Sequence, residues 1–211
     1  MRVVIAEDFM MMRDFLRIIC TKEFGYEVVA EACDGPQAVE DVRRTRPDLL
    51  LLDLNLPGFD GFTVIDKIRE REGAPRVLIL SSHCDDYTVS RVEKAAVQGF
   101  IDKNSSTMTA LREAMMAVAQ DGVYFSDTFR RLATVRHADT NAFDARLSER
   151  ERTILVLIGR FLTDQEIAGN LDISYATVEK HRFNIQRKLG LKSRAELLCY
   201  MRDHGFITVP T

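Results

Sequence analysis

The chain has few cysteines and no long apolar run. Its 4 cysteines, Cys20, Cys33, Cys84 and Cys199, are scattered along 211 residues without a CxxC pair. We therefore expect reduced thiols rather than disulfides or a zinc site. No apolar stretch approaches the roughly 18 residues that a membrane-spanning helix needs, and the N-terminus begins directly with a predicted strand instead of a secretory leader. These absences predict a cytoplasmic protein without membrane contacts.

The chain also lacks a strong excess of either charge. A formal net charge of −3 at pH 7 would not by itself predict a nucleic-acid partner. The charge is unevenly spread, however: residues 1–121 hold 15 Lys and Arg against 21 Asp and Glu, net −6, whereas residues 147–211 hold 10 against 8, net +2. A length of 211 residues suits two domains of roughly 120 and 65 residues. We therefore predict domains at 1–121 and 147–211, joined by a linker at 122–146.

Short apolar segments alternate with amphipathic helical segments through residues 1–121. This alternation is typical of strand–helix units on a parallel sheet. The expected strands are Arg2–Ala6, Glu27–Cys33, Leu49–Leu52, Arg76–Leu80 and Gly99–Asp102, and the expected helices are Met10–Glu23, Pro36–Arg44, Phe62–Arg71, Tyr87–Ala96 and Thr107–Gln120. Five parallel strands and five helices predict an α/β fold of the flavodoxin-like, doubly wound type.

The rest of the chain is predicted to be a connector followed by a purely helical domain. Within residues 122–146 we expect one helical stretch, Asp127–Val135. Beyond Leu147 the expected helices are Ser148–Arg160, Thr163–Asn170, Ser174–Leu189 and Ser193–His204. Ser148 and Glu151 have the spacing of a capping box, and Ser174 can cap the third helix. The second domain is therefore expected to be a separate, all-α domain of four helices.

Asp53 closes the apolar run 49–52 and opens the turn 54–58, so its carboxylate lies where a buried strand meets solvent. Parallel sheets place their ligand sites at this edge. A carboxylate there could bind a metal, act as a base or accept a phosphoryl group. The carboxyl ends of the other strands carry Glu7-Asp8, Ser81-Ser82 and Lys103, and we expect these side chains to converge with Asp53.

Two or three carboxylates at one edge raise each other's pKa unless a cation joins them. Mg²⁺ suits such a place because it takes one or two carboxylates, keeps several waters and leaves room for phosphate oxygens. Lys103 and Ser81 would then contact a phosphoryl group attached to Asp53. Each residue alone has an ordinary alternative: Asp8 and the serine could cap helices, and Lys103 could be a solvated surface lysine.

The combination of Glu7-Asp8, Asp53 with Leu56-Pro57-Gly58, Ser81 and Lys103 resembles a response-regulator receiver domain over residues 1–121. The resemblance implies that a cognate histidine kinase phosphorylates Asp53. It also implies Mg²⁺ ligands and a switch: Asp8, Asp53 and the backbone carbonyl of Asn55 would bind the ion, Glu7 would act through water, Lys103 would contact the phosphoryl group, and Ser81 and Phe100 would change position. The side chains of Asn55 and His83 would influence how long the acyl phosphate survives.

In the second domain, residues 164–189 have the layout of a helix-turn-helix, in which a tight turn at 171–173 separates two helices. Between Ser174 and Arg194 there are six Lys and Arg against one acid, net +5. We expect Val178 and Ile185 on the packed face of the second helix, with Phe183 on the opposite face. A small helical bundle with a solvated basic stripe is the alternative.

Sequence details throughout residues 144–208 resemble the NarL/FixJ, or LuxR-type, DNA-binding domain. They are LSERE at 147–151, EIA at 166–168, IS at 173–174, TV at 177–178, His181, Ile185, KLG at 188–190 and SRAEL at 193–197. The resemblance implies that Ser174–Leu189 enters the major groove of double-stranded promoter DNA. The implied DNA-contacting residues are Glu179, Lys180, Phe183, Asn184, Arg187, Lys188 and Arg194.

Together, the two resemblances imply a phosphorylation-controlled transcriptional regulator. Phosphorylation would alter interdomain contacts, dimerisation and promoter binding, with a homodimer in the phosphorylated or DNA-bound state and RNA polymerase as a further candidate partner. The chain would be no enzyme apart from its own phosphoryl transfer and acyl-phosphate hydrolysis. Two alternatives remain: a phosphorylation-independent DNA binder with a vestigial acidic site, and a Mg²⁺-dependent phosphohydrolase, which would need an acid where Asn55 stands.

Overall fold

The computed structural model describes residues 1–70, 73–138, 147–191 and 193–203. The chain divides into two units, the first comprising Met1–Cys84 and Arg91–Arg131, and the second comprising Asp85–Ser90 and Leu132–Thr211. The first unit contains the sheet and the second contains the C-terminal helices.

The first unit is built on a parallel sheet in the order β2-β1-β3-β4-β5-β6. Its strands are β1 (Arg2–Ala6), β2 (Glu27–Ala32), β3 (Leu49–Asp53), β4 (Arg76–Ser81), β5 (Gly99–Asp102) and β6 (Tyr124–Phe125). Every residue of β3 is buried, which explains its continuous apolar sequence, because helices cover both faces of a parallel sheet. The five strands predicted from the sequence are all present.

The sixth strand, β6, was not predicted. It pairs with β5 in parallel, with Gly99 opposite Tyr124 and Phe100 opposite Phe125. Two residues are too short to show the alternation by which a strand is recognised in a sequence. The predicted linker therefore begins with a strand that extends the sheet, and its predicted helix follows directly as Asp127–Ala138.

The helices lie close to their predicted positions. They are α1 (Met10–Ile18), α2 (Gly35–Thr45), α3 (Gly61–Arg69), α4 (Asp86–Lys94), α5 (Met108–Ala119), α6 (Asp127–Ala138), α7 (Glu149–Gly159), α8 (Asp164–Leu171), α9 (Tyr175–Leu189) and α10 (Arg194–Asp203). One difference is local: α1 ends at Ile18 and the chain continues as a π-helical turn, Ile19–Glu23. Helical periodicity does not distinguish such a turn from α-helix, so the prediction ran through to Glu23.

Helices α7 to α10 surround a separate apolar core. Its buried members are Leu147, Ile154, Leu155, Ile158, Ile167, Ala168, Val178, Ile185, Leu197 and Met201. The predicted capping box of Ser148 and Glu151 is present, and Ser174 accepts a hydrogen bond from Thr177 N at 3.1 Å. A second capping box, at Thr163 and Glu166, begins α8. The caps explain why α7, α8 and α9 begin where they do.

Two of the predicted absences can be compared with the structure. All four cysteines are free thiols. Among the residues that the structure describes, no helix has both the length and the apolar character to cross a membrane.

Candidate functional site

Three carboxylates meet at the carboxyl ends of β1 and β3. These strands pair in parallel with Ala6 opposite Leu52, so the chain brings Glu7-Asp8 beside Asp53. One oxygen from each carboxylate lies within 4.8 Å of the others. Glu7 and Asp53 are only 2% and 5% exposed, whereas Asp8 is exposed. The expected meeting of Glu7, Asp8 and Asp53 is therefore observed, and the exposed Asp8 lies on the side open to solvent.

Lys103, from the end of β5, links two of these carboxylates. Its Nζ donates to Glu7 Oε2 at 2.7 Å and to Asp53 Oδ2 at 2.8 Å. Burial lowers the pKa of Lys103, but the Asp53 and Glu7 carboxylates outweigh burial and raise it above its ordinary value. Burial raises the pKa of Glu7, and the charge of Asp53 adds to this against the pull of Lys103. The Lys103 ammonium thus forms ion pairs with two buried carboxylates, Glu7 and Asp53.

The donor set fits a hard divalent cation. Three carboxylates and one ammonium leave a formal charge of −2 in one place, and Mg²⁺ prefers carboxylate and water oxygens with an open side for phosphate. Asn55 follows in the turn after β3, and its backbone N–H donates to Asp53 Oδ1 at 3.1 Å. The residues that could hold an ion are therefore Asp8 and Asp53, with Glu7 behind them.

Ser81 lies at the end of β4, beside β5, and is fully buried. Its Oγ accepts from His83 N at 3.0 Å, and its carbonyl accepts from Lys103 N at 2.8 Å. Asn55 Nδ2 and His83 Nδ1 lie 2.9 Å apart. The side chains that follow β3 and β4 are therefore hydrogen-bonded to each other at the rim of the site.

Phe100, on β5, is fully buried. Its ring centroid lies 5.1 Å from that of Phe129 on α6, and Phe129 in turn stacks on Phe125 of β6 at 4.9 Å. The packing partners of Phe125 and Phe129 do not follow from the sequence alone. The structure assigns them: they tie α6 to the strand that carries Phe100.

The second unit contains the predicted helix-turn-helix. The turn between α8 and α9 passes through Asp172 in the left-handed region, at φ 52°, a conformation that Asp tolerates better than most residues. Val178 and Ile185 of α9 are fully buried. Arg182 pairs with the buried Asp164 carboxylate at 3.0 Å, so this arginine fixes α9 against α8.

Most of the predicted DNA-contacting residues lie on one exposed side of α9. Phe183 is 64% exposed. Asn184 is half-buried and accepts a hydrogen bond from Arg187. The exposed members are Glu179, Lys180, Phe183, Arg187 and Lys188. The side chain of Arg194 lies outside the described part of the structure.

Lys188, at the end of α9, donates to Glu151 Oε2 at 2.6 Å. Glu151 is buried and also accepts from Ser148 N at 2.7 Å. Burial raises the pKa of this carboxyl, but Lys188 and Ser148 prevail and hold it below its ordinary value of 4.5. The ion pair between Lys188 and Glu151 therefore holds α9 against α7, and it requires the ionised form of Glu151.

Replacing Glu151 by glutamine should destabilise the helical unit by about 1–2 kcal/mol at pH 7, because glutamine keeps the cap but loses the charge-assisted hydrogen bond. Because the pKa of Glu151 is lower in the folded than in the unfolded state, its ionisation stabilises the fold at pH values above the unfolded pKa. This stabilisation is lost as the pH falls through the folded pKa. The difference from wild type should therefore shrink below about pH 4.5. Hydrogen exchange of the α7 and α9 amides measures it, with the exposed Glu149→Gln as control. An equal loss at pH 7 and pH 3 would contradict the ion-pair account.

Family models match both units. Residues 3–116 match the response regulator receiver domain, and residues 145–201 match the bacterial regulatory proteins of the luxR family. The chain is 34% identical to the oxygen regulatory protein NreC of Staphylococcus epidermidis, covering 95% of this chain and 96% of that protein. It is 32% identical to the nitrate/nitrite response regulator protein NarL of Escherichia coli, covering 95% and 94%.

A solved structure is similar along nearly the whole length. It is RcsB of Salmonella enterica serovar Typhimurium bound to promoter rprA in the presence of the phosphomimetic BeF₃⁻, with a TM-score of 0.74, 25% identity, and coverage of 96% of this chain and 98% of that one. This chain belongs to the response regulators of the NarL/FixJ family, with a receiver domain followed by a LuxR-type DNA-binding domain.

Proposed function

We propose that a cognate histidine kinase phosphorylates Asp53 with Mg²⁺ and that this event controls promoter binding by α9. One observation carries the proposal: Asp53 is a buried carboxylate held 2.8 Å from Lys103, beside Glu7 and Asp8. A structural carboxylate would need only its lysine, whereas this arrangement has two further acids and an open side. Uptake of one phosphoryl group from a small acyl phosphate, read as a mass increase, tests the proposal.

In the transfer, an Asp53 carboxylate oxygen attacks phosphorus, the bond from phosphorus to the kinase histidine nitrogen breaks, and that nitrogen keeps the electron pair. Such a transfer needs mainly positioning and charge neutralisation. The Asn55 N–H donates to Asp53 Oδ1. Lys103 Nζ lies 2.8 Å from Asp53 Oδ2, close enough to donate to the new phosphoryl oxygens. Mg²⁺, when bound by Asp8, Asp53 and the Asn55 carbonyl, with Glu7 through water, would neutralise charge on those oxygens.

The same geometry disfavours a phosphohydrolase acting on added substrates. Such an enzyme would need a second acid two residues after Asp53 to protonate a leaving group, and Asn55 stands there and bonds to His83. Self-directed phosphoryl transfer and slow hydrolysis of the acyl phosphate require no such acid. We therefore assign the chain no other enzymatic activity.

The switch that we propose runs from Ser81 through Phe100 to α6. Ser81 Oγ can turn from its His83 contact to donate to a phosphoryl oxygen, which leaves space for Phe100 to shift. Because Phe129 packs on Phe100, a shift of Phe100 would displace α6. In chain order, α6 follows the sheet and precedes the C-terminal helices. The packed aromatic trio of Phe100, Phe125 and Phe129 is the physical support for this route.

Replacing Phe129 by leucine should leave phosphoryl uptake at Asp53 close to wild type. It should reduce the phosphorylation-dependent change in DNA affinity at least about threefold, since the ring contact, worth roughly 0.5–1.5 kcal/mol, is lost while most of the volume is kept. Fluorescence anisotropy with labelled DNA, with and without phosphodonor, measures the change. Phe24→Leu, which removes a ring contact with Tyr26 elsewhere in the unit, serves as the control. A full response in the Phe129 variant would rule out this route.

The exposed side of α9 supports direct DNA binding. Lys180 and Arg187 would contact phosphates, and Glu179 could accept from a cytosine amino group. Phe183 would pack on a thymine methyl group, which would explain its exposure. Asn184, Lys188 and Arg194 complete the proposed contact set. The RcsB structure, described as bound to promoter rprA, supports double-stranded promoter DNA as the partner.

The remaining parts of the proposal concern assembly and location. Two copies on adjacent half-sites would explain binding by a helix-turn-helix unit, which reads only a few base pairs. We therefore propose a homodimer in the phosphorylated or DNA-bound state, acting in the cytoplasm, with RNA polymerase as a further partner. Size-exclusion chromatography with and without phosphodonor tests the dimer.

A further inference from the structure

Arg13 extends from α1 towards the backbone that carries two members of the acidic cluster. Its Nη1 donates to the Glu7 carbonyl at 2.6 Å and to the Asp8 carbonyl at 3.4 Å. Only 18% of its side chain is exposed. Glu7 and Asp8 supply two of the three carboxylates that meet at this edge of the sheet. The hydrogen bonds of Arg13 therefore act on the cluster through its main chain.

Glu31, on β2, orients the Arg13 side chain. Its Oε2 lies 3.7 Å from Arg13 Nε, and its Oε1 lies 3.3 Å from Nε of Arg17, which follows one turn later on α1. Because a guanidinium is planar, fixing its Nε side also fixes the direction in which Nη1 donates. Glu31 also offsets part of the positive charge of Arg13 at the cluster. What remains specific to Arg13 is the direction of its hydrogen bonds.

The turn from β1 into α1 holds Glu7 more firmly than Asp8. The Glu7 N–H donates to a carbonyl of β2, and the Glu7 carboxylate accepts from Lys103 and from the Phe9 N–H. Asp8 is exposed. Phe9 is the N-cap residue of α1, and its side chain cannot accept a hydrogen bond, as Ser, Thr, Asp or Asn would there. The contact of Arg13 with the two carbonyls therefore stabilises a turn that begins its helix without a polar cap.

We propose that Arg13 is a positioning residue, which holds the Asp8 carboxylate in place as a ligand of Mg²⁺. This inference rests on the proposed function, in which the acidic cluster binds the ion during phosphoryl transfer. Asp53 is already held by Lys103 and by the Asn55 N–H. Asp8 is the ligand that depends most on support from its own main chain. Side chains that orient metal ligands typically account for about 10- to 100-fold in metal affinity.

The variant Arg13→Met tests this role, because it removes the hydrogen bonds and keeps much of the apolar stem. Binding of Mg²⁺ to the full chain, measured by calorimetry at constant ionic strength, should weaken about tenfold. Loss of the positive charge would by itself change the affinity in the opposite direction, since it makes the surroundings of the cluster more negative. The sign of the change therefore separates positioning from electrostatics.

Two further variants serve as controls. Arg17→Met removes the same charge from the same helix, and Arg17 pairs with the same Glu31, so its Mg²⁺ affinity should equal that of wild type or exceed it. Arg13→Lys keeps the charge and a donor, and it should recover most of the lost affinity. In metal-free protein, the Glu7 and Phe9 amides should exchange hydrogen at least about fivefold faster in Arg13→Met than in Arg17→Met.

The possible failures can be distinguished. Mg²⁺ binding by Arg13→Met as tight as in wild type, or tighter, would overturn the positioning role and leave the proposed function standing. An equal loss of affinity in Arg17→Met, or unchanged amide exchange in Arg13→Met, would also overturn it. If wild type itself bound no Mg²⁺ at millimolar concentrations, the proposed function would fail, and the positioning role with it.

Discussion

An Asp53→Asn variant is expected to accept no phosphoryl group from a small acyl phosphate and Mg²⁺. The amide lacks the ionised oxygen that must bond to phosphorus, so the rate should fall roughly 10⁴-fold or more, as it does when a nucleophile is removed from a catalytic set. Intact-mass measurement over time reports this directly: wild type gains one phosphoryl group, and the variant keeps its original mass.

This loss should occur without a loss of stability. Asparagine has nearly the same shape and can still accept the Asn55 N–H. It loses the ion pair with Lys103, but Lys103 keeps its contact with Glu7, and the neutral side chain relieves the repulsion that helps raise the pKa of Glu7. The free energy of unfolding should therefore be equal to that of wild type or larger. Asp102→Asn is a matched control, since Asp102 is also a buried aspartate at the end of a strand. Phosphorylation of Asp53→Asn at the wild-type rate would place the acceptor elsewhere.

Removing the charge of Lys180 or Arg187 is expected to weaken DNA binding for all sequences. Each phosphate contact contributes about 0.9 to the slope of log K against log salt concentration for duplex DNA. Each alanine variant should thus reduce the slope by about 0.9 and lower affinity about tenfold at moderate salt. Phe183→Ala should act differently: it should reduce discrimination at one base pair by up to about 1–3 kcal/mol and leave the salt slope unchanged.

These effects are best measured by anisotropy on DNA fragments selected from a random pool, at several salt concentrations. Arg160→Gln makes the same change of charge at an exposed residue at the end of α7 and should leave the slope unchanged. A slope that falls equally with Arg160→Gln would show that overall charge, rather than α9, determines binding. An unchanged slope in both α9 variants would remove these residues from the interface.

The acidic cluster could be predicted because its carboxylates come at the ends of strands that are recognisable in the sequence. Leu49–Leu52 followed by Asp53 identifies a buried strand and its edge, and parallel pairing then places Glu7 and Asp8 beside it. The fixed geometry of a parallel sheet turns positions in sequence into positions in space. Neither the double contact of Lys103 nor the Asn55–His83 hydrogen bond follows from sequence, because each depends on side-chain rotamers.

Other features could not be read from the sequence because they depend on long-range packing. β6 exists only through its pairing with β5, and the value of Phe129 appears only when Phe100 is its neighbour. The family resemblance implies Lys188 as a DNA contact, yet its side chain donates to Glu151, 37 residues away in the chain. The DNA contacts themselves remain predictions that rest on the family resemblance.

The most direct test of phosphorylation control is DNA affinity before and after phosphoryl transfer in wild type and in Asp53→Asn. The fragments come from a random pool, and phosphodonor and Mg²⁺ are present or omitted. We predict that affinity changes at least about tenfold, or 1.4 kcal/mol, in wild type and not at all in the variant. Equal affinity with and without a phosphoryl group on wild type, or the same response in Asp53→Asn, would contradict the account and favour a DNA binder that acts independently of phosphorylation.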